Sequence, residues 1–296
     1  MNSNQERTTK LLAGAGLILT TIIWGGAFVV MKNSVDLIPP SYLLALRFSI
    51  AAICMLAVFW PQNKGMDKKD IQYGVILGVF LFLSYIFQTY GLKYTTASKN
   101  AFITTLYVII VPFLHWAFNH KKPSRRNLGA AILAVIGLAL LSLEGEAGIN
   151  LGDFLTLICG IFFAVHIVFI DRYTKDHSPV RLTTIQMFTA AILGWLLAPV
   201  ADGSLDFGIL NTDLILGLLY LGIFSTMIGF LLQNVGQKYL SPNTSSILLS
   251  FESVFGLVFS VIFLGDPVTV KLLAGCMLMF GAVILSEYKP KKSKEE

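Results

Sequence analysis

Ten apolar stretches of about 20 residues follow one another along this chain, separated only by short polar segments. A helix of about that length crosses the roughly 30 Å hydrocarbon layer of a membrane. The composition agrees, because only 13% of the 296 residues are charged, whereas soluble domains carry about 25%. The sequence therefore predicts an all-α membrane protein with ten transmembrane helices, near residues 10–31, 41–60, 71–91, 99–118, 125–144, 151–170, 182–199, 213–235, 243–264 and 269–287.

The basic residues are distributed unequally between the two sides of these helices. If the N-terminus faces the cytoplasm and the sides alternate, most of the 22 Lys and Arg residues fall in inner segments. The outer segments 145–152 and 200–212 contain acidic residues but no Lys or Arg. Since cytoplasmic loops carry the basic excess, we expect a multi-pass plasma-membrane protein with both termini in the cytoplasm. The same argument explains the net charge of +5 without a nucleic-acid partner.

The two halves of the sequence resemble each other. The pattern Gln88-x-x-Gly91-x-Lys93-Tyr94 recurs as Gln233-x-x-Gly236-x-Lys238-Tyr239, and two further blocks match at similar separations, beginning with Pro40 and Pro179 and with Pro123 and Pro267. Each half holds five predicted helices, so the chain leaves the first half on the side opposite to its entry. We therefore expect two inverted repeats around a central cavity, as in alternating-access carriers, with residues 1–146 as the first repeat and 147–296 as the second.

Two charged residues, Arg47 and Glu252, lie more than one turn from either end of a predicted helix, where charge is costly. Glu252 lies near mid-depth, and its repeat equivalent is Tyr107. It is a candidate for exchanging protons or attracting a cationic group; alternatively it ties helices together by hydrogen bonds. Arg47 is a candidate anchor for a substrate carboxylate or phosphate, because its guanidinium offers a planar fork of donors. Alternatively it extends towards the outer surface or pairs with a helix-end carbonyl.

Uncharged residues complete the expected substrate site. The glutamines Gln88, Gln186 and Gln233 are candidates for hydrogen bonds to the solute. Trp24, Tyr85, Tyr90 and Phe163 are candidates to line the cavity. Trp24 and Phe163 are repeat equivalents beside small residues, Gly25-Gly26 and Ala164, which we expect to leave space for a solute.

Sequence signatures of catalysis are missing. The chain has no Gly-rich phosphate loop, no His-Glu-x-x-His and no Gly-x-Ser-x-Gly. His166 and Asp171 have a spacing seen in some acyltransferases, but five residues on a helix separate side chains by about 140°. We expect no catalytic residue, no metal site and no cofactor. Cys54, Cys159 and Cys276 all fall in apolar stretches, so we interpret them as packing residues.

Several motifs together resemble the EamA-type carriers of the drug/metabolite transporter superfamily. They are Ile23-Trp24-Gly25-Gly26-Ala27-Phe28, Leu46-Arg47-Phe48, Gln233-x-x-Gly236-Gln-Lys-Tyr239-Leu-Ser-Pro, and Glu252-Ser-Val-Phe-Gly256 with Leu264-Gly265-Asp266. The resemblance covers nearly the whole chain. It implies two inverted five-helix repeats, cytoplasmic termini and movement of amino acids, other metabolites or drugs, often outward. The chain departs from the pattern at Asn119-His120, where relatives commonly have an acidic residue, and at Asp266, where they have Glu.

These observations predict a secondary carrier for a small polar metabolite such as an amino acid, working in the bilayer by alternating access. Export is the expected direction, and protons are a candidate coupling ion. Two alternatives stay open: an intramembrane enzyme such as a lipid-modifying transferase, and a channel or non-transporting helper protein.

Overall fold

The computed structural model describes residues 3–119, 125–142, 150–209 and 211–287, and this part of the chain is helical without strands. It contains thirteen α-helices, and the segment Tyr220–Ile228 between α10 and α11 is a π-helix. The helices are α1 (Ser3–Val35), α2 (Pro40–Val58), α3 (Trp60–Asn63), α4 (Lys68–Tyr94), α5 (Ala97–Thr104), α6 (Tyr107–Asn119), α7 (Arg125–Ser142), α8 (Leu151–Tyr173), α9 (Pro179–Ala201), α10 (Thr212–Leu219), α11 (Gly229–Tyr239), α12 (Pro242–Leu264) and α13 (Val270–Glu287).

The expected ten transmembrane segments are present as helices. Within the described ranges, eight helical segments are long and apolar enough to cross a membrane, and α7 and α13 supply two shorter apolar stretches, 128–137 and 270–282. Two of the spans contain interruptions: α5 and α6 form one span broken at Thr105 and Leu106, and α10, the π-helix and α11 form another. Discontinuous helices near the bilayer midplane are a common feature of transporter binding sites.

Local sequence explains where the helices begin. Asp67 and Asn150 accept hydrogen bonds from the backbone of Asp70 and Asp153 in capping boxes that start α4 and α8. Proline occupies the first turn of α2, α9 and α12, where it lacks only an N–H that the helix leaves unpaired.

The inverted relation of the halves is visible in α2 and its equivalent α9, which pack side by side. At one end of the pair, the Tyr42 hydroxyl donates to the Gly203 carbonyl at 2.7 Å. At the other end, Arg181 Nη2 donates to the Lys64 carbonyl at 2.9 Å. The start of each helix therefore touches the end of the other, so the equivalent helices are antiparallel. The expected fold of two inverted repeats is confirmed, while the proposed boundary at 146/147 lies outside the described residues.

Glycines bring the helices together more than they open space. A Cβ on Gly78 would lie 2.4 Å from Thr189 Cβ, so α4 packs closely on α9. A Cβ on Gly25 would lie 2.4 Å from Phe255 Cβ, and one on Gly26 would lie 2.8 Å from the Tyr220 hydroxyl. The expectation that Gly25-Gly26 leaves space for a solute is therefore wrong: these glycines let α12 and the π-helix approach α1.

Candidate functional site

A narrow cavity lies at the centre of the molecule, where helices of both halves meet. It has room for the centres of water molecules in only about 20 Å³, which suits one or two waters. A metabolite-sized solute therefore needs a wider form of the cavity. The lining residues are Trp24, Ala27, Phe28, Met31, Tyr85, Gln88, Tyr107, Phe163, Ile167, Ser225, Gln233, Leu249 and Glu252.

The cavity has the symmetry of the repeat. Four pairs of equivalent residues line it: Trp24 with Phe163, Phe28 with Ile167, Gln88 with Gln233, and Tyr107 with Glu252. Each half thus contributes two apolar side chains, at least one of them aromatic, and the amide of a glutamine. The last pair consists of a phenol from the first half and a carboxylic acid from the second. The cavity lies on the axis that relates the halves, where alternating-access carriers hold their substrates.

Glu252 is the acidic residue of this cavity and is 4% exposed. The Tyr107 hydroxyl lies beside its carboxyl group. Among the described residues, no Lys, Arg or His nitrogen lies within 4.0 Å of the carboxylate. The neighbouring serines do not donate hydrogen bonds to this carboxylate. Ser250 donates to the backbone carbonyl of Ile247, and Ser253 donates to that of Ser250. Among the described residues, Glu252 is therefore a buried acid without a cationic partner, and it lines the central cavity.

Arg47 lies one layer behind the cavity wall and is fully buried on α2. Its Nε and Nη2 atoms donate to Thr226 Oγ1 at 2.9 and 2.8 Å, and Nη2 also donates to Ser225 Oγ at 3.1 Å. Nη1 contacts Met31 Sδ at 3.1 Å. In the described ranges no carboxylate lies within 4.0 Å of the guanidinium. Arg47 reaches neither the surface nor a helix-end carbonyl, so both simple structural interpretations of it are wrong.

Tyr85 separates the two charged residues. The Arg47 guanidinium carbon lies 4.5 Å from the centre of the Tyr85 ring, a cation–π geometry, and Glu252 lines the same cavity as this tyrosine. The ring also packs edge-on against Phe163, with centroids 5.5 Å apart. A cation and an acid thus flank one aromatic wall of the cavity.

The three candidate glutamines occupy different positions. Gln88 and Gln233 line the cavity, and Gln88 Nε2 donates to Thr104 Oγ1 at 3.2 Å. Gln186 does not line it; the side chain is fully buried and its Oε1 lies 3.1 Å from His166 Nε2. Asp171 pairs with Lys175 at 2.9 Å rather than with His166. The geometry therefore does not bring His166 and Asp171 together.

Sequence reasoning missed several cavity residues and misplaced one. Met31, Ser225 and Leu249 line the cavity but carry no signal in the sequence, because apolar and hydroxyl residues are common in every span. Only the repeat relation points to Phe28 and Ile167. Tyr90, expected at the cavity, lies instead at one end of the molecule, where its hydroxyl donates to Asp202 Oδ1 at 2.7 Å.

Carboxylates join the two halves at each end of the helix bundle. At the Asp202 end, this residue accepts from the Tyr90 hydroxyl and from the Ser41 backbone N–H at 2.9 Å. At the Asp70 end, Asp70 pairs with His177 Nδ1 at 2.7 Å and with Arg181 Nη1 at 3.1 Å. Asp67, Asp70 and His177 have metal-ligand spacing, but Arg181 already supplies a cation there. Polar links between the halves are therefore present at both ends of the bundle.

Comparison with known proteins identifies the family. The model of the EamA-like transporter family matches residues 12–143 and again 150–288. An uncharacterized transporter of Archaeoglobus fulgidus is 36% identical over 95% of this chain and 87% of its own length. The uncharacterized transporter YoaV of Bacillus subtilis is 20% identical over 92% of this chain and 96% of its own.

A protein of known crystal structure has the same fold. It superposes with a TM-score of 0.70 at 17% sequence identity, covering 91% of this chain and 95% of its own. The two family matches, one in each half, agree with the inverted pair of five-helix units. The chain therefore belongs to the EamA-like transporter family and is a multi-pass membrane transporter.

Proposed function

We propose that this protein is a secondary carrier that moves a small polar metabolite, of the size and chemistry of an amino acid, through the central cavity by alternating access. One observation carries the proposal above all: a buried acid and a buried guanidinium, neither with an opposite charge among the described residues, flank the same aromatic wall. Unpaired buried charges are costly, so a bound solute that brings the missing charges is favoured. An amino acid brings both.

The remaining candidate residues have defined roles in this proposal. Trp24 and Phe163 provide apolar faces, Gln88 and Gln233 hydrogen-bond the solute, and Tyr107 and Glu252 form its central contact. Arg47 attracts an anionic group from behind the Tyr85 ring. Gln186 acts from behind the wall through His166. Glu252 is also the proposed carrier of coupled protons.

In the proposed transport cycle, the polar links at the Asp202 end and at the Asp70 end break in turn. Opening the Asp202 end while the Asp70 end stays closed admits solute from one side, and the reverse change releases it on the other. We propose that both termini are cytoplasmic, that the protein lies in the plasma membrane and that it works as an exporter. The expected basic excess on the cytoplasmic side supports this orientation. The proposed repeats are 1–146 and 147–296.

The test is counterflow by the purified protein in liposomes. Vesicles loaded with one unlabelled amino acid should accumulate the labelled form transiently, with saturation, for at least one member of a broad panel of amino acids and metabolites. Flux without saturation would favour a channel. No flux for the whole panel, with correctly folded protein, would contradict the proposal.

A further inference from the structure

A cluster of buried polar atoms without hydrogen-bond partners lies where α8, α9 and α11 meet, beside the cavity on the side of the Asp70 end. Its members are His166 Nδ1, Gln186 Nε2, Gln233 Oε1, Asn234 Oδ1 and Gln237 Oε1. Each of these side chains is at most 1% exposed. Buried polar atoms in proteins nearly always have a partner, and exceptions point to a water, an ion or a ligand.

Hydrogen bonding fixes the orientation of two amides in this cluster. Gln237 Nε2 donates to the Ile167 carbonyl at 3.3 Å, and a carbonyl can only accept. Asn234 Nδ2 lies 2.7 Å from Thr183 Oγ1, whose own proton goes to the Pro179 carbonyl. The Thr183 oxygen must therefore accept from Asn234. In both amides the oxygen is the atom left unpaired.

The cluster is uncharged and rich in acceptors. Asn234 and Gln237 are three residues apart and so lie on the same face of α11. Gln233 Oε1 is a third acceptor. His166 Nδ1 is a fourth when the other ring nitrogen donates to Gln186 Oε1. Gln186 Nε2 and the amide nitrogen of Gln233 offer hydrogen atoms. A ligand that satisfies this set must bring several N–H donors.

The cluster is continuous with the cavity, and the first half repeats it only in part, through Gln88 and Thr89. Gln233 and Ile167 line the cavity and belong to or adjoin the cluster. The repeat equivalents of His166, Asn234 and Gln237 are Ala27, Thr89 and Leu92. The first half instead places Arg47, a pure donor, at the position equivalent to Gln186. The side of the cavity near Arg47 is therefore suited to hydrogen-bond acceptors of a solute. The side near the cluster is suited to hydrogen-bond donors of a solute.

We propose that Asn234, Gln237, Gln233 and His166 form a subsite for a second amine or ammonium group of the solute, on the Asp70 side of the cavity and separate from Glu252, which meets the first. This proposal rests on the proposed function, since it assigns one pole of the solute to that site. It also gives the solute an orientation, with its N–H donors towards the Asp70 end and its acceptors towards Arg47. An ammonium group supplies three donors to oxygens that otherwise have none.

The experiment measures binding rather than transport, so it does not depend on knowing the solute. The probes are n-propylammonium and 1-propanol, which have nearly the same size but carry an ammonium and a single hydroxyl. Affinity is read from the concentration dependence of the thermal unfolding midpoint of the detergent-solubilised protein. The test variant carries both Asn234→Leu and Gln237→Leu. The matched control is Thr89→Val, because Thr89 is a buried polar residue without a hydrogen-bond partner at the position equivalent to Asn234.

The double variant should bind n-propylammonium about tenfold more weakly. Its affinity for 1-propanol and its unfolding midpoint without probe should stay close to the natural values. Thr89→Val should bind both probes as the natural protein does. The same loss should appear in a Glu252→Gln background, because the two groups act at different places.

Equal weakening of both probes, or no weakening of either, would overturn the subsite. A loss that disappears in the Glu252→Gln background would assign the ammonium to Glu252 alone. Absence of counterflow together with selective loss of n-propylammonium binding would contradict the carrier function and leave the subsite standing. If the double variant does not fold, Gln237→Glu provides a second test, since an added negative charge should strengthen n-propylammonium binding and leave 1-propanol unchanged.

Discussion

The Tyr90 hydroxyl donates to the Asp202 carboxylate across 2.7 Å, joining α4 of the first half to the end of α9 in the second. The Ser41 backbone N–H donates to the second carboxylate oxygen, so three helices converge on one side chain. A charged acceptor strengthens each of these hydrogen bonds. This carboxylate is therefore one of the polar links between the halves at the Asp202 end, where Asp153 and Asp266 also accept hydrogen bonds from Thr95 and Ser98.

Removing this link should shift the carrier towards opening at the Asp202 end. Asp202→Ala deletes both acceptors, whereas Tyr90→Phe deletes only one donor and should have a smaller effect. In a protein with Cys54, Cys159 and Cys276 replaced, a cysteine at Gln88 reports access to the cavity through its rate of reaction with a water-soluble thiol reagent. We expect the rate to rise about tenfold with Asp202→Ala, the result of losing hydrogen bonds to a charged group. An unchanged rate would show that the Asp202 carboxylate does not keep this end closed.

The Asp70 end has charged donors. His177 and Arg181 both pair with Asp70 there, whereas the Asp202 carboxylate has hydroxyl and backbone donors. Asp70→Ala removes both pairs, so a cysteine at Gln233 should react faster with a water-soluble thiol reagent than it does without this substitution. An unchanged rate would show that the Asp70 carboxylate does not restrict access from this end.

Arg47 is predicted to select solutes with an anionic group. Arg47→Met removes a buried charge that has no acidic partner in the described structure and replaces it with an apolar chain, a change that often leaves stability unaltered or improved. We expect counterflow of carboxylate-bearing solutes to fall about tenfold or more, with little change in the unfolding midpoint. Arg47→Lys should restore only part of the flux, because an ammonium lacks the fork that reaches Thr226 and Ser225 together. Full activity of Arg47→Met would remove Arg47 from the substrate path.

The sequence predicts the depth of a residue in the membrane better than it predicts the direction in which its side chain points from the helix. Repeat matching and position within each span brought Trp24, Gln88, Tyr107, Gln233 and Glu252 to one cavity. Arg47 and Gln186 have suitable depths, but their helices turn them into the layer behind the wall, and depth alone cannot show this. The role of Gly25 is not predictable from the sequence for a related reason. A small residue leaves room either for a solute or for a neighbouring helix, and the position of Phe255 in the structure shows that it is a helix. The π-helix has no sequence signal at all.

Glu252→Gln tests whether the central acid carries protons. The amide has nearly the same shape but cannot bind or release a proton, so flux in the variant should no longer change with pH or be driven by a pH gradient. Exchange of solute at equal pH on both sides should persist, since the cavity keeps its form. Glu6→Gln is a suitable control, because Glu6 is an exposed acid paired with Lys10 near the N-terminus. A gradient that still drives flux in Glu252→Gln would exclude this residue as the proton carrier.

The close approach of α4 and α9 makes Gly78 a test of the packing between the halves. A Cβ at this position would lie 2.4 Å from Thr189 Cβ and 2.8 Å from the Gln186 carbonyl oxygen, so the helices must move apart. Overpacking of this kind costs about 1–3 kcal/mol, and Gly78→Ala should lower the unfolding midpoint in detergent. Gly14→Ala is the matched control, because its new Cβ would meet only Leu248 Cδ1 at an ordinary 3.7 Å; alanine there should be neutral or stabilising, since it favours helix more than glycine does. Equal midpoints for the two variants would contradict the close contact between α4 and α9.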